Sequence, residues 1–396
     1  MNRVSIIRCD SYKEETVVSA LKETFNSLGG IEKYVKPGMK VVIKANLLMK
    51  KNPSSATTTH PCIVKSLTEL IMKAGASSVI LADSPGGPYT EKLLNGVYSA
   101  CGMKKVSEET GLKLNYDLSE VEVENPSGKY LKKVTILKPI VDADLVINIP
   151  KLKTHGMMVF TGAVKNMFGA VPGLLKAEYH LKMAQYDEFA NALIDIFLCV
   201  KPSLNIMDAV VAMEGHGPSA GNPRHMGLIL ASEDAFSLDL AALKIININP
   251  LDVPVMRNAK ERGLWDDSRD DLQFVGETLE SVRINDFDTP QLESLRDIQF
   301  LDNKYLKGFL EGLKPKPVFD YAKCTGCANC ASSCPAQIIH MRDKKPCADL
   351  SKCIRCFCCQ ELCPAKAISI RRPVAWSIAF KVGAFFAGII MNLRKK

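Results

Sequence analysis

The chain lacks most of the signals that would export it or tie it to a nucleotide. Its first residues, MNRVSIIRCDSYKEE, hold no apolar stretch long enough for a secretory signal. That points to the cytoplasm, where cysteines stay reduced and read better as ligands than as disulfides. No G-x-G-x-x-G and no G-x-x-x-x-G-K-[ST] occurs, so NAD, FAD and ATP are not expected, although a flavin held in another way stays open. No basic run is interleaved with aromatics, which argues against nucleic acid. There is no low-complexity tract and no internal repeat outside two cysteine blocks near the end.

What is present is ordinary for a globular protein: 47% hydrophobic and 24% charged residues, with a net charge of +8 over 396 residues. That length exceeds one average domain, so a large module and at least one small one are expected. The charge is scattered and gives a solvated surface biased toward anionic partners.

Eight of the fourteen cysteines fall in the two blocks. CTGCANCASSCP places Cys324, Cys327, Cys330 and Cys334 before Pro335. CIRCFCCQELCP places Cys353, Cys356, Cys359 and Cys363 before Pro364. Zinc also uses Cys-x2-Cys pairs, but zinc motifs do not ask for this four-cysteine rhythm followed by proline, twice. The stretch resembles bacterial two-cluster [4Fe–4S] ferredoxin domains. In those the fourth cysteine of each run ligates the other cluster. The resemblance therefore implies one cluster on Cys324, Cys327, Cys330 and Cys363, and a second on Cys353, Cys356, Cys359 and Cys334. Cys347 and Cys358 do not fit the spacing and read as ordinary thiols. Cys9, Cys62, Cys101 and Cys199 form no motif.

Ahead of the blocks, strand and helix signals alternate. KVVIKANLL (40–48), SSVILAD (77–83), ADLVINIPKLK (143–153), LNIMDAVVAMEGHG (204–217) and HMGLILASED (225–234) read as strands. HPCIVKSLTELIMKAG (60–75) reads as a helix with Thr59 as N-cap, and DAFSLDLAALKIINI (234–248) as another. The fold expected is α/β, a mostly parallel sheet with helices on both faces, followed by a small α+β two-cluster ferredoxin domain and a C-terminal helix. The boundaries are 1–300 for the α/β domain, 301–317 for a linker, 318–371 for the ferredoxin domain and 372–396 for the helix.

KVVIKANLL…TTTHP, LADSPGG and INIPKLKTHGMMVFTGAVKNMFG together resemble the family of the domain of unknown function 362. The resemblance covers roughly residues 1–300. It implies an α/β domain, found in anaerobic or facultative prokaryotes and often followed by a ferredoxin module. It brings no catalytic assignments.

The residues themselves suggest a site, because ligands of open α/β sheets bind beyond the carboxyl ends of strands. Lys151, Lys153 and His155 alternate along a strand end, so in an extended segment they point to one side. Lys165 and Asn166 follow. Such a cluster would hold a carboxylate, a phosphate or a developing enolate and supply protons, with His155 the best donor. Lone lysines at a strand end usually just solvate it. Asp83 and Ser84 orient substrate, bind a metal or simply form a turn. Asn46, Thr59 and His60 are weaker substrate-binding candidates. Asp208, Glu214, His216 and His180 are a conceivable metal set without a supporting spacing.

The tail, Arg371–Lys396, is apolar with basic flanks. It fits a helix packed on the protein or on a second copy in a homo-oligomer, a helix lying on a membrane surface, or a barely long enough span. The function expected is an iron–sulfur oxidoreductase of the cytoplasm, peripheral at the inner face of a membrane if the tail docks there. Two [4Fe–4S] clusters would carry electrons from a ferredoxin or flavodoxin to a small anionic substrate, reducing an activated C=C or C=O. The alternatives are a non-enzymatic electron carrier or subunit, and a maturation factor that uses its clusters structurally.

Overall fold

Apolar alternation sets the central sheet. In β2 (Lys40–Ala45), Val41 and Ile43 enter one core and Val42 the opposite one; in β7 (Leu145–Ile149), Leu145, Ile147 and Ile149 share the first core and Val146 the second. A sheet apolar on both faces must be covered on both. The computed structural model describes residues 3–266, 272–289 and 315–371. In it, α1 (Glu14–Ser27) and α2 (Pro61–Lys73) cover one face, joined by α3 (Glu91–Ala100) and α4 (Met103–Thr110). After α5 (Lys138–Val141) come α6 (Ala163–Asn166), α7 (Leu175–Lys182), α8 (Tyr186–Val200) and α9 (Ala235–Ile245); α6, α8 and α9 build the other core.

The strand order is β12-β1-β11-β10-β7-β2-β3-β4, with β8 (Lys151–His155) on β10 and β9 (Val159–Phe160) on β8. The remaining strands on this path are β1 (Arg3–Arg8), β3 (Ser78–Leu81), β4 (Lys113–Leu114), β10 (Leu204–Glu214), β11 (Asn222–Ser232) and β12 (Gln273–Gly276). The pairs β2–β3, β2–β7, β3–β4, β7–β10, β8–β10 and β1–β12 are parallel. The β10–β11 and β1–β11 pairs are antiparallel, so the sheet is mixed but mostly parallel. A separate hairpin joins β5 (Glu120–Glu124) to β6 (Lys133–Leu137).

Two sequence expectations change. The single strand expected over 143–153 is two, β7 and β8 (Lys151–His155), because Pro150 interrupts the ladder and its carbonyl accepts from Asp208 N at 2.9 Å. The N-cap of α2 is His60, whose Nδ1 accepts from Cys62 N at 3.2 Å, and not Thr59. The Thr59 hydroxyl instead donates to Ile149 O at 2.8 Å and accepts from Asn46 N at 2.9 Å, tying β2 to β7.

The cysteine-rich part is a small α+β unit. β13 (Lys316–Phe319) pairs antiparallel with β16 (Ile368–Arg371), and β14 (Ile339–Arg342) with β15 (Lys345–Ala348). Two one-turn helices, Asn329–Ser332 and Cys358–Glu361, complete it. It docks on the α/β domain through Lys51 Nζ to Pro364 O at 2.9 Å, Gln360 Nε2 to His216 O at 3.2 Å and Lys366 Nζ to Gly221 O at 3.1 Å. Leu362 presses so close to Gly86 that a Cβ there would lie 2.2 Å from its Cδ2. Among the described residues no helix is long and apolar enough to cross a membrane. Most of the expected linker and all of the tail 372–396 lie outside the described residues.

The pairing of β8 with β10 encloses charge. Lys151 Nζ lies 2.8 Å from Asp208 Oδ2 and 2.7 Å from the Tyr12 hydroxyl, and Asp208 also accepts from Tyr12 at 2.8 Å and from His60 N at 2.9 Å. Removing one partner of a buried pair strands the other. Asp208→Ala is expected to cost about 3–5 kcal/mol in anaerobic urea denaturation; a loss under about 1 kcal/mol would mean that water reaches Lys151.

Candidate functional site

The parallel neighbours β3, β2 and β7 end on one side, so the segments leaving them converge there. Asn46 leaves β2, Asp83 and Ser84 leave β3, and β8 continues from β7. The ferredoxin-like unit covers this end, and between the two lies a cavity. Asn46, Asp83, Ser84, Lys165 and Asn166 line it from the α/β side, with Lys44, Lys176 and His180. Ser333, Cys358, Glu361 and Leu362 line it from the other unit.

Most of the polar wall residues are held by hydrogen bonds. Lys44 pairs with Asp83 at 2.9 Å, and Asp83 also accepts from Leu47 N at 2.6 Å. Burial lowers the Lys44 ammonium, which Asp83 partly offsets. Asn166 Nδ2 donates to Asn148 Oδ1 at 2.7 Å, its Oδ1 accepts from Asn46 Nδ2 at 2.9 Å, and Asn46 Oδ1 accepts from Lys153 Nζ at 2.9 Å. The turn carrying Asn166 and Lys165 is seated by Asp239 of α9, whose carboxylate accepts from Ala163 N at 2.5 Å and Val164 N at 3.1 Å. Gly162 is needed there, since a Cβ would meet Asp239 Oδ1 at 2.0 Å. Lys176 donates to Ser84 Oγ at 2.5 Å, Ser84 O at 2.8 Å and Val171 O at 3.1 Å, all neutral acceptors. Burial above all pushes its pKa down to about 7. Ser84 Oγ also accepts from Gly173 N at 2.9 Å, which leaves its own hydrogen for the cavity.

The sequence-predicted lysine–histidine row is extended and buried, but it does not converge on one anion. Lys151 is drawn away by Asp208, the carboxylate that neutralises it, and lies outside the cavity wall. Lys153 stands behind Asn46, also donating to Thr57 O at 2.7 Å, and burial with the neighbouring Lys165 and Lys151 pushes it to about 7. His155 Nδ1 accepts from Met157 N at 3.0 Å and Met158 N at 3.1 Å, so the proton sits on Nε2, 3.7 Å from the Glu361 carboxylate. Burial and then Lys165 hold it well below the usual histidine range, so it is a neutral orienting group and not an imidazolium donor. Thr59 and His60 face elsewhere; His60 stacks on Tyr12 at 3.5 Å. Lys165 reaches the cavity and, among the described residues, makes no hydrogen bond; its ammonium lies 5.9 Å from the Phe168 ring. The four residues considered for a lone metal ion are not assembled: Asp208 serves Lys151, Glu214 pairs with Arg224 and His180 lies in the cavity.

Lys44, Lys176 and Glu361 were missed. A lysine inside the apolar run KVVIKANLL and an acid between ligand-spaced cysteines are signals in hindsight; Lys176 has none.

The thiols gather around two further small cavities. Cys324, Cys327, Cys330 and Cys363 line one; Cys334, Cys353, Cys356 and Cys359 line the other. Each takes three thiols from one block and the fourth from the other. All eight are free, and the rest of both walls is largely apolar. Among the described residues no group of His, Cys, Asp or Glu is drawn tightly enough around one point for a single ion. Thiols ringing a space suit a cluster, and the donors fit one.

A family model described as a domain of unknown function, DUF362, matches residues 41–244, and a 4Fe-4S dicluster domain matches 316–364. The chain belongs to the DUF362 family. Its C-terminal part is a 4Fe–4S iron–sulfur domain. A thylakoid-associated protein of Synechocystis is 35% identical over 269 residues, 66% of this chain and 79% of that one. Two solved structures are more distant. The lactate racemase apoprotein of Thermoanaerobacterium thermosaccharolyticum gives a TM-score of 0.39 at 14% identity, covering 61% of this chain and 55% of that one. A Thermotoga maritima protein gives 0.37 at 13%, covering 64% and 60%. The match thus spans well under two thirds of either solved chain, and such scores transfer no function.

His180 is stacked on Phe189 at 4.1 Å, and burial, then Lys165, pushes it down to about 3. Unfolded histidine takes a proton near pH 6.5. Below that pH the unfolded chain binds more protons than the folded one, so stability is lost as pH falls from about 6.5 toward 3. His180→Phe keeps the stacking and removes this loss. Going from pH 7.5 to 5.5, it is expected to lose on the order of 1 kcal/mol less than wild type in urea denaturation. Equal losses would mean that His180 ionises in the fold.

Proposed function

We propose that the protein is an iron–sulfur reductase that binds two [4Fe–4S] clusters and reduces an activated C=C or C=O of a small organic anion in the cavity between its two units. One observation carries this. The wall that offers Lys165 and Lys176 faces Ser333 and Cys358, chain neighbours of the thiols Cys334 and Cys359. A ligand bound by the lysines therefore lies beside residues that would hold a cluster. When bound, such clusters supply electrons one at a time.

The chain's own residues do the rest. Lys165, with free N–H groups, binds the anion and stabilises negative charge that develops on it. Lys176, near neutrality at about 7, has a proton to give at working pH, and Ser84 can pass it on because its hydroxyl accepts from Lys176 and faces the cavity. Lys153, also at about 7, is a reserve behind Asn46. Reduction consumes one π bond, two electrons and two protons; the electrons come from an acidic one-electron carrier of the ferredoxin or flavodoxin class. Support for that partner is the outer cavity, where Cys327 is exposed, Lys323 is exposed four residues before it and the exposed Lys344 packs against Gly326. The name of the Synechocystis relative, with the base-flanked apolar tail, supports a place in the cytoplasm against a membrane.

Protein made without oxygen is expected to carry about eight irons per chain. Cys363→Ala should lower that by up to about half, while Cys358→Ala, which alters the substrate wall, should not. Equal loss in both would undo the ligand assignment. Protein reduced with dithionite and mixed with a panel of unsaturated acids and keto acids should be re-oxidised by some of them, seen at visible wavelengths, with reduced product found by mass spectrometry. Lys165→Met should slow this by about 10- to 100-fold, the worth of a hydrogen bond to a charged group, with reduction by dithionite unchanged. Re-oxidation only by protein carriers would favour the electron-carrier alternative.

A further inference from the structure

The cavity's charge and its apolar wall together narrow what it takes, an inference that rests on reading it as a substrate site. Five charged side chains line it: Lys44, Lys165, Lys176, Asp83 and Glu361. Of the two carboxylates, Asp83 is paired with Lys44, and Glu361 faces the remaining lysines. Lys44 is closed by Asp83, and the three N–H groups of Lys176 are taken by Ser84 and Val171. Among the described lysines of this wall, Lys165 alone has unengaged donors for an incoming anion. A second, independent feature lies beside it: His180 is 6% exposed, is kept neutral, and its Nδ1 has no partner among the described residues. A buried neutral imidazole without a partner wants a polar group on the ligand.

The rest of the wall is apolar. Leu48, Phe168, Leu174 and Leu362 line it, and Leu174 is 56% exposed. Exposed leucine beside a cavity is surface a ligand can cover. A second negative charge on the ligand would meet Glu361 on the same wall and be repelled. A short polar acid would leave the leucines in water.

We propose that the cavity selects amphipathic monoanions: one carboxylate, held by Lys165, on an aromatic or branched apolar body lying against Phe168, Leu174 and Leu362. Carbohydrate phosphates and dicarboxylates are excluded by charge.

The test is calorimetric titration of the full chain, prepared without oxygen and left oxidised, with phenylacetate, acetate, succinate and phenylacetamide. Phenylacetate is expected to bind at least about tenfold more tightly than each of the others. Lys165→Met should bring phenylacetate to the level of phenylacetamide. Leu174→Ser, a neutral change at an exposed wall position, should bring the affinity for phenylacetate closer to that for acetate, which makes little use of the apolar wall. Succinate binding tightest, acetate equal to phenylacetate, or no probe binding would each overturn the inference. No electron is delivered in this experiment, so a protein that binds phenylacetate yet reduces nothing would sink the reductase reading and leave this one standing. Reduction of a dicarboxylate would do the reverse.

Discussion

Four ammonium groups gathered at one end of a sheet are the constraint around which the molecule is built. Lys44, Lys153, Lys165 and Lys176 come from β2, β8, α6 and α7, and burial lowers every one of them. Like charges in a low dielectric repel, and desolvation adds to the cost. Asp83 answers one of them directly. The amide pair Asn46–Asn166 and the carbonyls of Thr57, Ser84 and Val171 solvate two others without neutralising them. The remaining carboxylate, Glu361, belongs to the other unit. An α/β domain alone would show this end to water; with the small unit docked, the cations are enclosed in a cavity that both units line.

That dependence explains the fit of the seam. Gly86 gives way to Leu362, and Ser219 donates to the carbonyl of Glu361 at 2.5 Å, so the acid is fixed by its backbone as well as by its place between Cys359 and Cys363. His155, locked by two amides, turns its Nε2 toward the same carboxylate. The buried row on β8 is therefore divided in its labour. Lys151 holds the sheet to Tyr12 and Asp208, Lys153 holds Asn46, and His155 faces Glu361.

Much of this was legible in the sequence, for reasons of periodicity and spacing. Cysteine spacing pointed to cluster ligands because a cubane demands thiols in a fixed rhythm. Alternating apolar runs gave β2, β3 and β7, and the polar residues just past each strand, Asn46, Asp83 and Ser84, reach the cavity wall because parallel strands end together. Pairing direction is different: nothing local in 204–217 and 225–234 says that β10 and β11 run antiparallel. Side-chain destination is harder still. Lys151 and Lys153 have the same residue type and the same burial, and only the position of Asp208, 57 residues away, sends them to different partners. Lys176 lay unmarked in a helix because its role comes from Ser84, 92 residues distant.

The two units are electrically one. Two unit charges about 5–8 Å apart at an effective dielectric near 20 interact by about 2–3 kcal/mol. Glu361 influences Lys153, Lys165 and Lys176 together. A small displacement of the loop Cys359–Cys363 therefore changes the potential felt by three lysines at once. The loop that would hold iron also sets how strongly the cavity attracts an anion, and an anion in the cavity must in turn act on that loop through the same field. Reciprocity of this kind is a thermodynamic necessity once both groups share a low-dielectric space. It makes the ferredoxin-like unit part of the cavity wall, with a bearing on the charge inside it.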